Sequence, residues 1–317
     1  MAQTKVAGPA ALVLTASVAR RFYIDGISKS DIATELGLSR FKVARLLDQA
    51  RATGLVRIEL DYRGEIDLDL SVRLAREYSL RHCLVVDSPD DDDALLRANL
   101  GRAAAGLLTE IVEADDVLGL AWARSLMAMR AALTELAPCS VVQMTGALSR
   151  PDVDESSIEL VREIARISTG PAYFFYAPMI LPDATTAQAL RRQPEVTRAI
   201  ERFPDITKAV VAVGAWQRGL STVADAISER EWREMYDQGV RAEMGGLQLD
   251  AEGRPVVTSI TDRMIAFDAE LLRRIPDVIA IAYGVAKAGA VRAALRGGFV
   301  KSLVTHTAMA RRLLEEV

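Results

Sequence analysis

Six apolar runs between residues 83 and 306 constrain the fold more than any other feature of the sequence. They are rich in Val, Ile and Ala, helical segments separate them, and they read "CLVVD" from 83, "VLGLA" from 117, "SVVQMTG" from 140, "AVVAVGA" from 209, "VIAIAYG" from 278 and "KSLVTH" from 301. Strands that expose one face to water alternate polar and apolar residues, whereas strands covered on both faces are continuously apolar. The runs therefore predict an α/β domain with a mostly parallel sheet flanked by helices.

The first 62 residues have a different pattern, which predicts a helix-turn-helix followed by a short strand or wing. Helices are expected over 10–24, over 29–36 and from Ser39 to about residue 53. Ser28 and Asp31 have the spacing of a capping box, and Ser39 is a favourable N-cap. Gly37 can adopt the left-handed conformation that ends a helix. The alternating segment "LVRIEL", residues 55–60, supplies the strand or wing.

The third helix of this segment has the pattern of a DNA-recognition helix. Val43, Leu46, Leu47 and Ala50 recur at the spacing of one buried face, which leaves Lys42, Arg45 and Gln49 on the other. Small, polar and basic side chains in the first turns of such a helix reach base edges and phosphates. The predicted DNA-binding residues are Ser39, Arg40, Lys42, Arg45 and Arg51, with Arg57 as an alternative contact to the DNA backbone. The alternative is a solvated basic face of a small helical bundle.

Length and charge favour two domains with different partners. A chain of 317 residues exceeds the usual size of one domain. Residues 1–62 carry nine Lys and Arg against six Asp and Glu, a net charge of +3, so residues 63–317 carry −7 of the total of −4. The expected domains are 1–62, which binds DNA, and 63–317, which binds an effector and oligomerises. An amphipathic segment within 63–80 is expected to form a linker helix.

The composition argues against several other classes of protein. No run approaches the length of a membrane-spanning helix and no signal peptide is visible, so a cytoplasmic protein with no membrane partner is expected. Cys83 and Cys139 are expected to be reduced, and His82 and His306 lack the spacing of a zinc site. The acidic tract "DSPDDDD", residues 87–93, is interpreted as a loop and helix start, with metal binding as the alternative. Neither a metal nor a cofactor is predicted.

Two glycine-containing turns at strand ends are candidates for ligand binding. In "LGLAWARSL", Gly119 is expected to close a strand, and Ala123, Arg124 and Ser125 to open a helix. In "AYGVAKAGAVRAAL", Gly284 is expected to end a strand, and Lys287 to lie in the first turn of the next helix. Amides at helix starts bind anions at the carboxyl end of a parallel sheet. Either turn alone fits ordinary packing equally well, but two of them favour a shared pocket.

The order of these segments resembles the SorC/DeoR family of bacterial transcriptional regulators. The likeness extends from about residue 10 to 314 and is strongest in "SKSDIATELGLSRFKVARLLDQARATGLVRIEL" and after Asp262. It implies a winged helix-turn-helix joined to a Rossmann-like effector domain related to ribose-phosphate isomerase and glucosamine-phosphate deaminase. It also implies double-stranded operator DNA, a sugar, polyol or sugar-phosphate effector, a homodimer or homotetramer, and control of a carbohydrate-use operon.

The resemblance also implies positions for the effector site. The phosphate-cradling turn of the family falls on Trp122 to Ser125, its acidic sugar-contacting position on Glu243 and its lysine on Lys287. The full predicted effector-binding set is Gly119, Trp122, Ala123, Arg124, Ser125, Gly146, Glu243, Gly284, Lys287 and His306.

Departures from the family pattern cluster at the expected ligand site, so an effector without a phosphate group is an alternative. They are Tyr283 in place of a glycine, His306 in place of an aspartate, and the pair Ala242–Glu243. His306 is expected either to bind a ligand hydroxyl or to have a structural role. Residues 216–218 also follow a strand end, and a contact with the ligand is one of two alternatives for them.

Three functions are compatible with these patterns. The first is a DNA-binding regulator, most simply a repressor relieved by its ligand. The second is a sugar-phosphate isomerase or deaminase-like enzyme that uses Glu243, Lys287 and His306. The third is a regulator with a vestigial pocket. No catalytic motif is visible and an isomerase has no need of residues 27–60, so the regulator is preferred, with no catalytic residue predicted.

Overall fold

The computed structural model describes residues 8–57, 65–88, 92–148 and 156–315. The chain divides into two compact units, Met1–Arg63 and Gly64–Val317. The domain boundary predicted between residues 62 and 63 lies outside the described residues, as do residues 58–60 of the predicted strand or wing and residues 89–91 of the acidic tract. Residues 55–57 belong to no strand.

The N-terminal unit contains the three predicted helices: α1 (Pro9–Tyr23), α2 (Lys29–Leu36) and α3 (Arg40–Ala52). Ser28 Oγ accepts the Asp31 N–H at 3.2 Å, and Ser39 Oγ accepts the Lys42 N–H at 3.1 Å. Gly37 ends α2 with φ +62°, a conformation that side chains with a Cβ rarely adopt. These contacts confirm the N-caps at Ser28 and Ser39, the end of α2 at Gly37 and the helix-turn-helix order. The capping box at Ser28 is incomplete, because the Asp31 carboxylate accepts the Ser28 hydroxyl and not the Ser28 N–H.

A small core holds the three helices together. It contains the four predicted inward residues of α3 together with residues of α1 and α2: Val18, Ala19, Ile32, Ala33, Val43, Leu46, Leu47 and Ala50. Val43 and Ala50 are completely buried. Because this core buries the apolar face of α3, the opposite face of the helix lies at the surface.

The larger unit is built on a seven-stranded sheet in which every pairing is parallel. Its strands, in spatial order, are β1 (His82–Val86), β10 (Ser302–His306), β9 (Asp277–Ile281), β5 (Lys208–Ala212), β2 (Val117–Leu120), β3 (Ser140–Gln143) and β4 (Ala172–Tyr173). Six of the seven coincide with the six apolar runs, so the predicted α/β class and parallel sheet are confirmed.

Helices cover both faces of the sheet, as the apolar runs predicted. Along β5, Val210 packs into one core with α5 (Asp93–Ile111), α6 (Arg124–Ala132) and α7 (Ser157–Ser168), whereas Ala209 and Val211 pack into the other. The second core is closed by α4 (Leu68–Glu77), α12 (Ala269–Arg274), α13 (Ala288–Arg296) and α14 (Thr307–Glu315). Successive residues of one strand therefore enter opposite cores, which is why the run shows no alternation.

The segment predicted as a linker helix forms α4 within 63–80, and α4 packs into the larger unit. Leu74 is completely buried, and the Tyr78 hydroxyl donates to the Leu313 carbonyl at 3.2 Å. Val72, on the outer side of α4, is 67% exposed.

A smaller antiparallel sheet was not predicted. It contains β6 (Gly214–Ala215), β7 (Ala242–Met244) and β8 (Leu247–Leu249). An apolar cluster that includes Met179, Trp216 and Met235 lies nearby, together with α10 (Thr222–Ala226) and α11 (Glu229–Asp237). The remaining helices are α8 (Ala184–Arg191) and α9 (Pro194–Ile200), with 3-10 turns at Phe203–Asp205, Thr261–Arg263 and Val285–Lys287.

Candidate functional site

The outer surface of α3 carries the five side chains predicted to bind DNA. Ser39, Arg40, Arg45 and Arg51 are exposed and Lys42 is half-buried. Arg51 forms an ion pair with Asp48 at 2.6 Å, one turn before it. Within the described part of the chain, Arg40, Lys42 and Arg45 make no ion pair. The first two turns of α3 therefore present three cations that are not neutralised by a neighbouring carboxylate.

Sequence reasoning missed one residue of this surface. Phe41, in the first turn of α3, is 90% exposed, although an aromatic ring is usually the first candidate for a core. Its position between Arg40 and Lys42 and outside the spacing of Val43 and Leu47 was the available signal.

The larger unit contains a cleft at the carboxyl end of the parallel sheet. The cleft encloses about 790 Å³ of empty space, its open mouth included. Its lining includes residues within two positions of the ends of β2, β3, β5 and β9, namely Trp122, Thr145, Val213 and Tyr283. From β2 the chain continues to β3 and β4 on one side and then returns to β5 on the other, so the cleft lies where the strand order reverses. Open α/β sheets bind ligands at such a point.

One wall of the cleft is the turn between β2 and α6. Trp122, Ala123, Arg124 and Ser125 all line it, as predicted from the sequence. Ala123 is the N-cap of α6 and offers no side-chain acceptor to the first amides of the helix. Ser125 is 1% exposed, and in the described part of the chain its Oγ has no hydrogen-bond partner. This wall thus combines a helix start with a buried hydroxyl group.

Glu243 is supplied by the small antiparallel sheet. It lies on β7, opposite Gly214 of β6, and is 5% exposed. One carboxylate oxygen accepts the Ser221 hydroxyl at 3.0 Å, and the other accepts the Gly246 N–H at 3.2 Å. Burial raises the pKa of Glu243, although both hydrogen bonds and the charge of Lys287 oppose the shift. The carboxyl group is therefore held in one position beside the cleft.

Lys287 lines the same cleft as Glu243. Its Nζ is 4.6 Å from the centre of the Tyr283 ring, and Arg97 contacts the same ring at 5.8 Å. Burial lowers the pKa of Lys287, whereas the charge of Glu243 raises it. Lys287 ends the 3-10 turn Val285–Lys287 and directly precedes α13, so the prediction that it lies in the first turn of the helix was wrong by one position.

Three residues of the predicted effector-binding set are not in the cleft lining. Gly119 is an internal residue of β2 and does not close it; a Cβ there would come within 2.5 Å of the Met144 Sδ. Gly284 follows β9, and its N–H donates to His306 Nε2 at 3.2 Å. His306 is completely buried at the end of β10, which favours the structural alternative for it.

The remaining predicted effector residue, Gly146, does line the cleft and follows β3. By contrast, Trp216, Gln217 and Arg218 do not line it. Trp216 is 3% exposed and donates from its indole to the Trp232 carbonyl at 3.3 Å. Arg218 donates to the Ile227 carbonyl at 3.1 Å. Both side chains are used to hold the segment around α10 and α11.

Several lining residues were missing from the sequence prediction. The polar ones are Thr145, Ser221, Thr222 and Asp225, and the apolar ones include Leu148 and Met179. Ser221 Oγ accepts the Ala224 N–H at 3.0 Å as the N-cap of α10, so a capping pattern in "LSTVADA" was the available signal. Nothing in the sequence indicated that this segment reaches the carboxyl end of the sheet.

The cleft has the chemistry of a site for a small polyhydroxylated molecule. Its lining combines the carboxylates of Asp225 and Glu243, several hydroxyl groups, the cations Arg124 and Lys287, and apolar side chains. Among the described residues, no group of three or more His, Cys, Asp or Glu side chains could hold a metal ion. No helix in the described ranges has the length and apolar character needed to cross a membrane.

Comparison with known proteins relates this architecture to a family. Residues 62–315 match the sequence profile of the family described as "Putative sugar-binding domain". The chain is 29% identical over 302 residues to the "Uncharacterized transcriptional regulator YjhU" of Escherichia coli strain K12, and the alignment covers 92% of each chain. It is 28% identical over 305 residues to the "Transcriptional regulator LsrR" of Klebsiella pneumoniae, which covers 95% of this chain and 92% of the relative.

A solved structure supports the same fold. The full-length sorbitol operon regulator SorC from Klebsiella pneumoniae superimposes with a TM-score of 0.73 at 21% identity, and the match covers 96% of this chain and 98% of the other. The family profile spans most of the chain, and the relatives named transcriptional regulators match it along nine tenths of its length. The chain therefore belongs to the sugar-binding domain family of transcriptional regulators.

Proposed function

We propose that this protein binds operator DNA through α3 and that a carbohydrate-type effector in the cleft controls its affinity for that DNA. The observation that carries the proposal is that one chain holds a helix-turn-helix with unneutralised cations and a polar cleft at the switch point of a parallel sheet. Such a cleft is a common ligand site in α/β proteins. A helix with this basic surface fits the major groove of a duplex.

The effector is a sugar, polyol or sugar phosphate. Glu243 and Asp225 supply acceptors for hydroxyl groups, whereas Ser125 and the start of α6 supply donors. Arg124 and Lys287 add positive charge to the same cleft, which favours a ligand that carries an anionic group. Among similar proteins, SorC is named as a regulator of a sorbitol operon. We assign this protein to the control of a carbohydrate-use operon.

The protein acts as a homodimer or homotetramer that represses until the effector binds. Two linked recognition helices on neighbouring half-sites bind far more tightly than one, because the second contact becomes intramolecular. The protein is taken to have two arrangements, one that binds DNA and one that does not. The effector can change DNA affinity only if it binds these two arrangements with different affinities.

Two variants test the two sites separately. A duplex is first selected by the full chain from a randomised pool at low salt, and a panel of sugars, polyols and sugar phosphates is screened for thermal stabilisation. Arg45→Ala should weaken binding of the selected duplex by roughly 1 to 3 kcal/mol and leave the thermal response to the effector unchanged. Lys287→Ala should abolish the response to the effector and leave duplex affinity within about twofold of the wild type, because Lys287 lies in the cleft.

Three experimental outcomes would each contradict one part of this function. A full chain that selects no duplex would contradict DNA binding, and the absence of any stabilising compound in the panel would favour the vestigial cleft. Turnover of pentose or hexose phosphates by the wild type, lost in Glu243→Gln and Lys287→Ala, would favour the enzyme instead.

A further inference from the structure

Phe41 is the most exposed large apolar side chain in the described part of the chain. It is 90% exposed, ahead of Val257 at 80% and Ile24 at 76%. The other phenylalanine of the N-terminal unit, Phe22, is half-buried and packs edge-on against Tyr23 with ring centres 5.0 Å apart. The N-terminal core is therefore complete without Phe41, and the ring contributes little to holding the three helices together.

The position of Phe41 on α3 connects it to the cationic surface. Phe41 and Arg45 are four residues apart, so they are neighbours on one face of the helix. That face is opposite the buried residues Val43, Leu46 and Leu47. Arg40 and Lys42 flank the ring along the chain. The aromatic ring thus lies beside Arg45 on the outer face of α3 and between Arg40 and Lys42 in the sequence, and within the described residues none of these three cations makes an ion pair.

The chemistry of this surface selects one class of partner. An exposed aromatic ring beside cations also occurs on helices that lie on membranes, but such helices insert a continuous apolar face. The apolar face of α3 is buried in the N-terminal core, which leaves a single ring among charges. Duplex DNA offers both complements: phosphates for the cations and, in the major groove, the 5-methyl group of thymine for an apolar side chain.

We propose that Phe41 reads a thymine by contact with its 5-methyl group and so sets part of the operator sequence. This inference rests on the proposed DNA-binding function and adds a base-reading residue to it. The cations alone attract any duplex, because phosphates are the same in every sequence. The ring adds a contact that only a thymine methyl can make, and each such contact should be worth about fourfold in affinity, the value for burying one methyl-sized group.

The test uses the full chain and the duplex it selects from a randomised pool. Each thymine of the selected duplex is replaced in turn by deoxyuridine, which lacks only the methyl group. The wild type should lose about fourfold in affinity at one position of each half-site. Phe41→Ala should bind the thymine and deoxyuridine duplexes equally at that position and keep its sensitivity elsewhere. Ile24→Ala, which removes another exposed apolar side chain of the same unit, should behave as the wild type.

The outcomes separate this inference from the function on which it rests. A wild type that selects no duplex contradicts DNA binding itself. A wild type that selects a duplex, with Phe41→Ala showing the same affinities and the same deoxyuridine profile, overturns the role of Phe41 alone. Loss of affinity in Phe41→Ala for both duplexes, with the methyl preference intact, also overturns it, because the ring would then act without reading the base. Binding to anionic vesicles that depends on Phe41 would assign the surface to a membrane instead.

Discussion

Glu243 and Ser125 lie in the same cleft, but their polar atoms are satisfied to different degrees. Both oxygens of Glu243 accept hydrogen bonds, from Ser221 and Gly246, and these contacts fix the carboxyl group. Ser125 Oγ is buried, and the part of the chain that the structure describes provides no partner for it. A buried hydroxyl group without a hydrogen-bond partner lowers the stability of the folded protein. Its presence in the cleft therefore indicates that it forms a hydrogen bond with a bound ligand.

Ser125→Ala should leave the thermal stability of the free protein unchanged or slightly raise it. It should weaken binding of the effector by about two- to tenfold, the value of one hydrogen bond. Ser168→Ala is the matched control, since Ser168 is also completely buried but donates to the Cys139 carbonyl at 3.1 Å, outside the cleft. Ser168→Ala should lower the melting temperature and keep effector affinity. Thermal unfolding with and without effector measures both, and the reverse pattern would exclude Ser125 from ligand binding.

Residue by residue, the sequence was informative where one local pattern determines the position of a side chain. The turn from Trp122 to Ser125 follows a recognisable strand, and it lines the cleft as expected. His306 is the last residue of a strand, but it is buried and accepts the Gly284 N–H, because its ring faces the interior of the unit. Sequence position alone does not distinguish these two orientations. Phe41 was missed because an aromatic ring usually indicates a core position. The charged residues on either side of it in the sequence indicate the surface instead.

At the scale of elements, the central strands β2 and β5 carry the cleft at one end and an ion pair at the other. Lys208 Nζ is 2.5 Å from Asp116 Oδ2, and the Thr207 hydroxyl donates to Asp116 Oδ1 at 2.5 Å. Burial opposes ionisation of Asp116, but hydrogen bonds from Lys208, Thr207 and the Glu113 N–H outweigh it and lower its pKa. The pair joins the amino ends of the two strands between which the chain reverses its strand order.

Asp116→Asn should lower the free energy of unfolding by about 3 kcal/mol, because it leaves the Lys208 ammonium with only 16% of its side chain exposed and no counter-charge. The folded-state pKa of Asp116 is below the unfolded value, so its contribution is present above the unfolded pKa and is lost as pH falls through the folded pKa. Asp116→Asn should therefore flatten the acid side of the stability curve.

Asp205→Asn is the matched control for this prediction. Asp205 pairs with Arg202 at 2.8 Å, but half of its side chain is exposed, so removal should cost about 1 kcal/mol or less. Denaturant unfolding between neutral and acid pH measures both variants. Equal losses, or an unchanged acid profile in Asp116→Asn, would contradict the role of the Asp116–Lys208 pair.

Sequence reasoning at this scale found the long elements and missed the short ones. The six apolar runs identify six strands because continuous burial on both faces leaves an unmistakable composition. β4 and β6 have two residues each, and β7 and β8 have three, so they are too short to show a period. Their pairing depends on contacts distant in the chain. Glu243 could be placed by resemblance, but its opposition to Gly214 could not be predicted.

In the whole molecule, the division of charge between the two units agrees with the division of tasks proposed for them. Residues 1–62 carry +3 and residues 63–317 carry −7, a net charge that favours the smaller part as the one that meets a polyanion. The larger part supplies the cleft. Each unit has its own core, so a ligand in one can alter the other only through the populations of alternative arrangements of the full chain.

Effector binding and DNA binding are proposed to be coupled, and reciprocal titration of the full chain measures that coupling. The dissociation constant of the selected duplex is measured by fluorescence anisotropy with and without a saturating sugar or polyol from the thermal screen. The dissociation constant of that compound is then measured by calorimetry with and without saturating duplex. We expect the effector to weaken duplex binding by about 5- to 150-fold and the duplex to weaken effector binding by the same factor. A duplex affinity that stays constant while the effector is bound would show that the two sites are not coupled.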